Sequence, residues 1–275
     1  MNSSEKYLKE ALEKRKENNS FRALKVKNDL VDFSSNDYLG FSSTGLLHAK
    51  ILEFNQTHSK KIIEGSTGSR LITGNSAIVE SLEELIAVYH NAESALLFNS
   101  GYDANVGLFS SVPQRGDTIF YDELVHASIR DGIRLSYANA YSFRHNDFQH
   151  LKELFKLAKG NVYVAVESVY SMDGDMAPLN DLVELCEWSS ANLIVDEAHA
   201  TGVFGPYGKG YVSEKMLENK VFARVHTYGK AMGAHGAAVV GSKLLRDYLI
   251  NFARSFIYTT ALPYHSLIAI RCAYA

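Results

Sequence analysis

The sequence predicts an α/β fold, in which a mostly parallel central sheet is covered by helices on both faces. Short apolar runs of strand length recur at Ala95 to Phe98, Thr118 to Tyr121, Val162 to Val166, Leu193 to Val195 and Ala237 to Val240. Stretches long enough for helices separate them. Runs without polar alternation suit strands buried on both faces, and helical connectors suit parallel neighbours.

The elements follow in order. Tyr7, Leu8, Ala11 and Leu12 lie on one face of a charged helix that needs a surface to rest on. This reads as an N-terminal arm, and with the turn-rich FSSNDYLGFS it makes up residues 1–45. Residues 46–275 form the large domain. There, Asn75 or Ser76 caps a helix in which Ile78, Leu82, Leu85, Ile86 and Tyr89 recur at helical spacing. No internal repeat or low-complexity linker interrupts the alternation of strand and helix beyond it.

Composition excludes several function classes. At 275 residues and 46% apolar content the chain can bury a large core. A net charge of -3, with both signs interspersed, provides no basic stripe for nucleic acid or anionic lipid. No apolar run approaches the ~18 residues of a bilayer span. The start, MNSSEKYLKEALEKRKENN, carries charges where a signal peptide needs its apolar stretch, so a cytoplasmic protein is expected. Cys186 and Cys272 stand far apart and outside metal-ligand spacing, which suggests buried apolar residues and neither disulfide nor metal site.

In parallel sheets ligands bind beyond the carboxyl ends of the strands. Those positions hold Asn99-Ser100-Gly101-Tyr102, His126, Glu167-Ser168 and Asp196-Glu197-Ala198-His199. Ser100 and Gly101 precede a helix-compatible stretch, where their amides suit a phosphate or, equally, a plain capping turn. An unpaired Asp196 carboxylate at a desolvated strand end is costly. A cation at ~4 Å, at an effective dielectric of ~20, stabilises it by about 4 kcal/mol, nearly three pKa units. That suffices to keep a pyridine nitrogen protonated; a structural ion pair with an arginine is the alternative. The tetrad DEAH also occurs in helicases, but those need G-x-x-x-x-G-K-[ST], and Gly229-Lys230 is followed by Ala231. His199 is then a polar neighbour of Asp196 rather than a metal ligand. Lys230 lies in HTYGKAMGAHGAAVVGS, whose glycines permit close approach to a flat ligand. A lysine in a partly apolar crevice loses its proton and forms imines, although a lone lysine in a glycine-rich loop is more often solvated. Taken together, a strand-end Asp, a His126 able to stack, a Ser-Gly turn and a Gly-flanked Lys make up the set that pyridoxal phosphate (PLP) requires.

Eight segments then occur in a telling order: FSSNDYLGFS, GSTGSRLITGNS, FNSGYDANVGLF, DELVHASIRDG, ESVYSMDGDMAPL, VDEAHATGVFG, HTYGKAMG and FIYTTALP. On these the chain resembles the α-oxoamine synthases, fold-type I PLP-dependent transferases that condense an amino acid with an acyl-CoA and release CO2. The resemblance covers nearly the whole sequence. It implies that Lys230 binds the cofactor as an imine, that Asp196 holds the ring nitrogen and that His126 stacks on the ring. It further places His199 and Ser171 near the phenolic oxygen, and Thr227 with Ser100, Gly101 and Tyr102 on the phosphate side. Asn36 and Arg22 become substrate contacts, and Thr260 reaches the phosphate of a neighbouring subunit, which implies a homodimer. Ser171 and Thr227 equally suit turn hydroxyls bonded to local backbone, Arg22 a solvated helix face, and Tyr102 a position packed beneath its helix.

GSRLITGN discriminates within the family. It favours the branch joining a pimeloyl thioester to L-alanine over glycine C-acetyltransferase, which carries a Ser-Val-Arg-Phe-type stretch and Gly-Thr in place of Gly74-Asn75. Such acyl choices turn on only ~1–3 kcal/mol. Family members continue into a smaller C-terminal domain that supplies an arginine for the substrate carboxylate, whereas this sequence stops at RCAYA, so that domain is expected to be missing. A catalytically silent partner subunit is the alternative of another class. The retained Lys230, Asp196, His126 and His199 favour an enzyme.

Overall fold

The apolar run around Ala95 becomes strand β1 (Ser94–Phe98), and its side chains show why it is apolar on both faces. Leu96 and Phe98 join one core cluster, Ala95 and Leu97 another on the opposite side, and all four are buried. The computed structural model describes residues 3–26, 30–57 and 65–275. The chain divides into two compact units, Met1–Ser35 and Asn36–Ala275.

The first unit holds α1 (Ser3–Glu17), with Lys14, Arg15 and Lys16 in the last turn, where they complement the negative end of the helix dipole. Tyr7, Leu8 and Leu12 are exposed along it.

The second unit begins with α2 (Leu46–Thr57) and α3 (Ala77–Tyr89), followed by β1. Then come α4 (Gly101–Ser111), β2 (Thr118–Asp122), α5 (Ala127–Leu135), β3 (Asn139–Phe143), α6 (Phe148–Leu154), β4 (Val162–Glu167), α7 (Leu179–Ser189) and β5 (Asn192–Asp196). The chain continues through α8 (Tyr211–Glu214), β6 (Ala223–Thr227), β7 (Ala237–Gly241), α9 (Lys243–Phe252), α10 (Arg254–Ile257) and α11 (Tyr264–Ala273). Among the described residues no helix is long and apolar enough to cross a membrane.

The seven strands form one sheet in the order β1-β7-β6-β5-β4-β2-β3. Pairing is parallel from β3 through β6, while β7 runs antiparallel to both β6 and β1. The reversal has a simple cause. The connection Tyr228–Gly236 is too short for the crossover that a parallel return needs, so the chain comes back as a hairpin. Lys230 sits in that hairpin.

Two strands escape the apolar-run criterion, for opposite reasons. β3 is an edge strand, mostly exposed, and needs no apolar run. β6 is central, yet it carries Arg224 and His226, both buried. Each finds one partner inside: Arg224 Nη2 donates to the His90 carbonyl at 2.7 Å, and His226 Nδ1 lies 2.9 Å from Thr201 Oγ1, while Arg224 Nη1 and His226 Nε2 have no hydrogen-bond partner among the described residues. His226 also stacks on His90 with ring centroids 3.8 Å apart. Cys186 and Cys272 are both free and buried.

Candidate active site

The carboxyl ends of the parallel strands gather the acidic residues. Glu167 and Asp196 are register partners on β4 and β5, so their side chains emerge together on one face. Asp196 Oδ2 accepts from Asn105 Nδ2 at 2.7 Å, and Oδ1 from the Ala198 amide at 2.8 Å. Both donors are neutral, and among the described residues no arginine supplies the structural ion pair that was the alternative. Asn105, on α4, also donates to Ser128 Oγ at 3.0 Å, and Ser128 Oγ lies 2.7 Å from His126 Nδ1. A single chain of hydrogen bonds thus runs from His126 to Asp196. His126 caps α5 and is exposed at the mouth of the site.

Lys230 lies at the other side of the strand ends. Its Nζ is 2.7 Å from His199 Nε2, and His199 Nδ1 is 2.7 Å from the Tyr38 hydroxyl. Tyr38 in turn donates to Asn36 Oδ1 at 2.9 Å. One proton arrangement satisfies all three contacts: His199 donates from Nδ1 to Tyr38 and accepts at Nε2 from the lysine. Asp37 builds the turn that presents Tyr38, its carboxylate accepting from the Ser42 and Ser43 amides. Gly233, at φ +61°, closes the lysine turn against that segment, where a Cβ would come within 2.8 Å of the Ser42 nitrogen.

Electrostatics follow from burial. Burial lowers the Lys230 pKa below its ordinary value, against the opposing pull of Asp196 and Glu167. His199 is pushed down to about 4, first by burial and then by the Lys230 charge, so it is neutral at pH 7. Glu167 is pushed up to about 8 by burial and then by Asp196.

The remaining sequence-predicted residues separate. Ser100 caps α4: its Oγ accepts from the Asp103 amide at 3.1 Å and donates to the Asp103 carboxylate at 2.8 Å. Gly101 faces Thr227, whose Oγ1 would lie 3.4 Å from a Cβ there. Tyr102 is half exposed and its hydroxyl donates to Asp131 on α5 at 2.6 Å, so it reaches sideways rather than packing beneath its helix. Ser171 lies in an exposed turn after β4. Thr260 is exposed, and its carbonyl accepts from Asn99 at the end of β1. Arg22 is exposed within the first unit.

Sequence reasoning missed Tyr38, Asn105 and Ser128. Asn105 left a signal, being a polar residue among the buried positions of α4 between Ala104 and Leu108. It also missed a clamp on the Ser171 turn. His145 Nδ1 meets the buried Asp122 at 3.0 Å and Nε2 meets Asp175 at 2.7 Å, while Asn146 Nδ2 donates to Asp175 at 2.8 Å. Burial lowers the His145 pKa, but hydrogen bonds and charge from Asp122 and Asp175 outweigh it, so the net shift is upward. A raised histidine pKa stabilises the fold below the ordinary value of 6.5, and that contribution is lost as pH climbs through the folded-state value. His145→Gln is expected to cost about 1 kcal/mol at pH 6, after solvent screening at Asp175, and less at pH 8.5 by urea denaturation.

Comparison with known proteins sets this geometry in a family. The sequence model of aminotransferase class I and II matches residues 28–271. The chain belongs to that family. Within it, the α-oxoamine synthase branch is shown by a relative 50% identical over 97% of this chain, 8-amino-7-oxononanoate synthase of Emericella nidulans. Among solved family members, serine palmitoyltransferase of Sphingomonas wittichii is 30% identical over 87% of this chain, with a TM-score of 0.80. The 8-amino-7-oxononanoate synthase of Francisella tularensis is 33% identical over 90%, with a TM-score of 0.72. The chain spans 69%, 60% and 69% of these proteins' lengths, respectively.

This branch of the family consists of PLP-dependent acyltransferases. The site fits that cofactor. Asp196 offers a buried carboxylate bonded only to neutral donors, and Lys230 a partly buried amine beside a neutral imidazole. Gly101 leaves open the space against Thr227 at the start of α4, where helix amides favour phosphate.

Proposed function

We propose that the protein condenses an amino acid with an acyl thioester and releases CO2, with L-alanine and a pimeloyl thioester as substrates and 8-amino-7-oxononanoate as product. The observation that carries the reading is the Lys230 amine held 2.7 Å from His199 beside the Asp196 strand end. The 50% identity to the Emericella nidulans enzyme supports the choice of substrates.

PLP, when bound, supplies an electron sink for a carbanion at the amino acid Cα. Asp196 would hold the proton on its ring nitrogen, and His126 would cover the ring. His199 and Ser171 would lie on its phenolic-oxygen side, while Ser100, through its backbone since its hydroxyl caps α4, would hold the phosphate side with Gly101, Tyr102 and Thr227. Lys230, its pKa lowered by burial, would take the Cα proton at Nζ, and His199, its pKa pushed down to about 4, would be too weak a base to compete for it. His126 assists acyl transfer through its imidazole. Asn36 and Arg22 would contact substrate, and Thr260 would reach the phosphate bound by the second protomer of a homodimer.

Asp196→Asn removes an interaction of about 4 kcal/mol and is expected to lower kcat by about 10³-fold. Steady-state kinetics checks it. The deciding experiment is thiol release from alanine, glycine or serine with pimeloyl, acetyl or palmitoyl thioesters. Highest kcat/KM for alanine with pimeloyl supports the proposal. Preference for serine with palmitoyl establishes a second reading, favoured by the TM-score of 0.80 to serine palmitoyltransferase.

A further inference from the structure

Glu167 has no part in the chemistry above, yet it lies beside Asp196 at the centre of the strand ends. Both carboxyls are buried, with Glu167 at 2% and Asp196 at 5% exposure. Two ionised carboxylates in register repel, and burial opposes the second charge. Their partners decide which ionises. Asp196 accepts from Asn105 and Ala198, whereas Glu167 Oε1 has no hydrogen-bond partner among the described residues. An anion there would leave a buried charged oxygen unmet, which the neutral acid avoids. The backbone amides of His126 and Ser171 face the Glu167 carboxyl from the two loops on either side and, with Lys230, favour its charged form, but burial and then Asp196 outweigh all three. The ionisable groups around it are Asp196 on β5, Lys230 in the β6–β7 hairpin and Tyr170 after its own strand.

We propose that Glu167 is a positioning residue, held as the neutral acid, whose carboxyl ties the main chain at His126 and Ser171 to the Asp196 strand end. One negative charge then remains at the centre of the site, on Asp196. The inference rests on the PLP reading of the site, because His126 and Ser171 are the residues it places. Burial and Asp196 raise the Glu167 pKa from 4.5 to about 8, which agrees with the geometry.

The test uses the full chain with Glu167→Gln and Glu167→Ala, and Lys230→Ala as reference. Gln keeps a neutral oxygen for the two amides, and Ala does not. Titration with PLP, followed by visible absorbance, should show Glu167→Gln within about twofold of wild type and Glu167→Ala about tenfold weaker, the loss expected for hydrogen bonds removed from buried donors. The second readout is Tm without added cofactor. The unfolded carboxyl ionises above pH 4.5 while the folded one stays neutral up to about 8, so wild type loses stability across that window and Glu167→Gln does not. The Tm of Glu167→Gln relative to wild type should therefore rise between pH 5 and pH 8. Equal weakening by Gln and Ala, or a Tm difference that is flat with pH, overturns the proposal. If Glu167→Ala does not fold, Tm of Glu167→Gln alone decides. Visible absorbance of lysine-bound cofactor persisting in Lys230→Ala would instead defeat the PLP reading, leaving the cofactor-free Tm result to judge Glu167.

Discussion

Replacing Lys230 by alanine is expected to lower activity by about 10⁴-fold and to remove the visible absorbance of lysine-bound cofactor. The magnitude is the upper range for loss of a positioned general base, and the covalent attachment is lost with it. The fold should survive. Lys230 lies in a hairpin whose geometry is set by backbone bonds, Tyr228 to Gly236 and Gly233 to Lys230, and these do not involve its side chain. Burial of the amine lowers its pKa, a sign that the charged form is disfavoured where it lies, so thermal stability should hold or rise slightly. Absorbance spectroscopy and melting on the same preparation separate the two effects. Persistence of the visible band in Lys230→Ala would sink the lysine assignment. A collapse in Tm would show that the residue holds the fold and leave its chemistry unread.

The largest expected effect on stability lies outside the site. Arg70 and Glu83 form a bidentate pair, Nη1 to Oε1 at 2.7 Å and Nη2 to Oε2 at 3.1 Å, with side chains only 10% and 4% exposed. Glu83 on α3 also accepts from the Leu97 amide of β1 at 2.9 Å, and Arg70 donates to Asn75. Three pieces of chain, the 68–75 segment, α3 and β1, thus meet at one ion pair. Arg70→Ala leaves a buried carboxylate with one amide and the more distant Arg246, at 3.6 Å. The expected cost is about 3–5 kcal/mol in urea denaturation, towards the lower end if Arg246 swings in. The double variant Arg70→Met with Glu83→Leu should recover most of the loss, because apolar groups of similar volume remove the uncompensated charge. Failure of that recovery would mean that the pair holds the fold through its hydrogen bonds to Leu97 and Asn75.

Arg70 also illustrates how motif and physics part company. In the sequence it belongs to GSRLITGN, which discriminates among acyl donors by resemblance. In the fold its charge is spent on Glu83. The central residues, though not their roles, were legible: Asp196, His126 and His199 follow recognisable strand runs, Lys230 precedes the run at Ala237, and the structure gathers them about the strand ends. Ser100 shows the limit, since a serine before a helix looks the same whether it cradles phosphate or caps the turn, and its hydroxyl serves the cap.

The sequence by itself determined the layers, the parallel core and the identity of the strand-end residues. Apolar runs reflect burial on both faces, and the first residue after a run has nowhere to go but the ligand crevice. Tertiary structure alone decided what the polar interior does. β6 was hidden because Arg224 and His226 are buried polar residues, each bonded at one nitrogen to a partner distant in the chain. The relay from Asn36 through Tyr38 and His199 to Lys230 joins residues more than 190 positions apart, as does no local pattern. Periodicity records whether a side chain leaves water; which partner replaces that water is set by register and crossover, which exist only once the sheet is assembled.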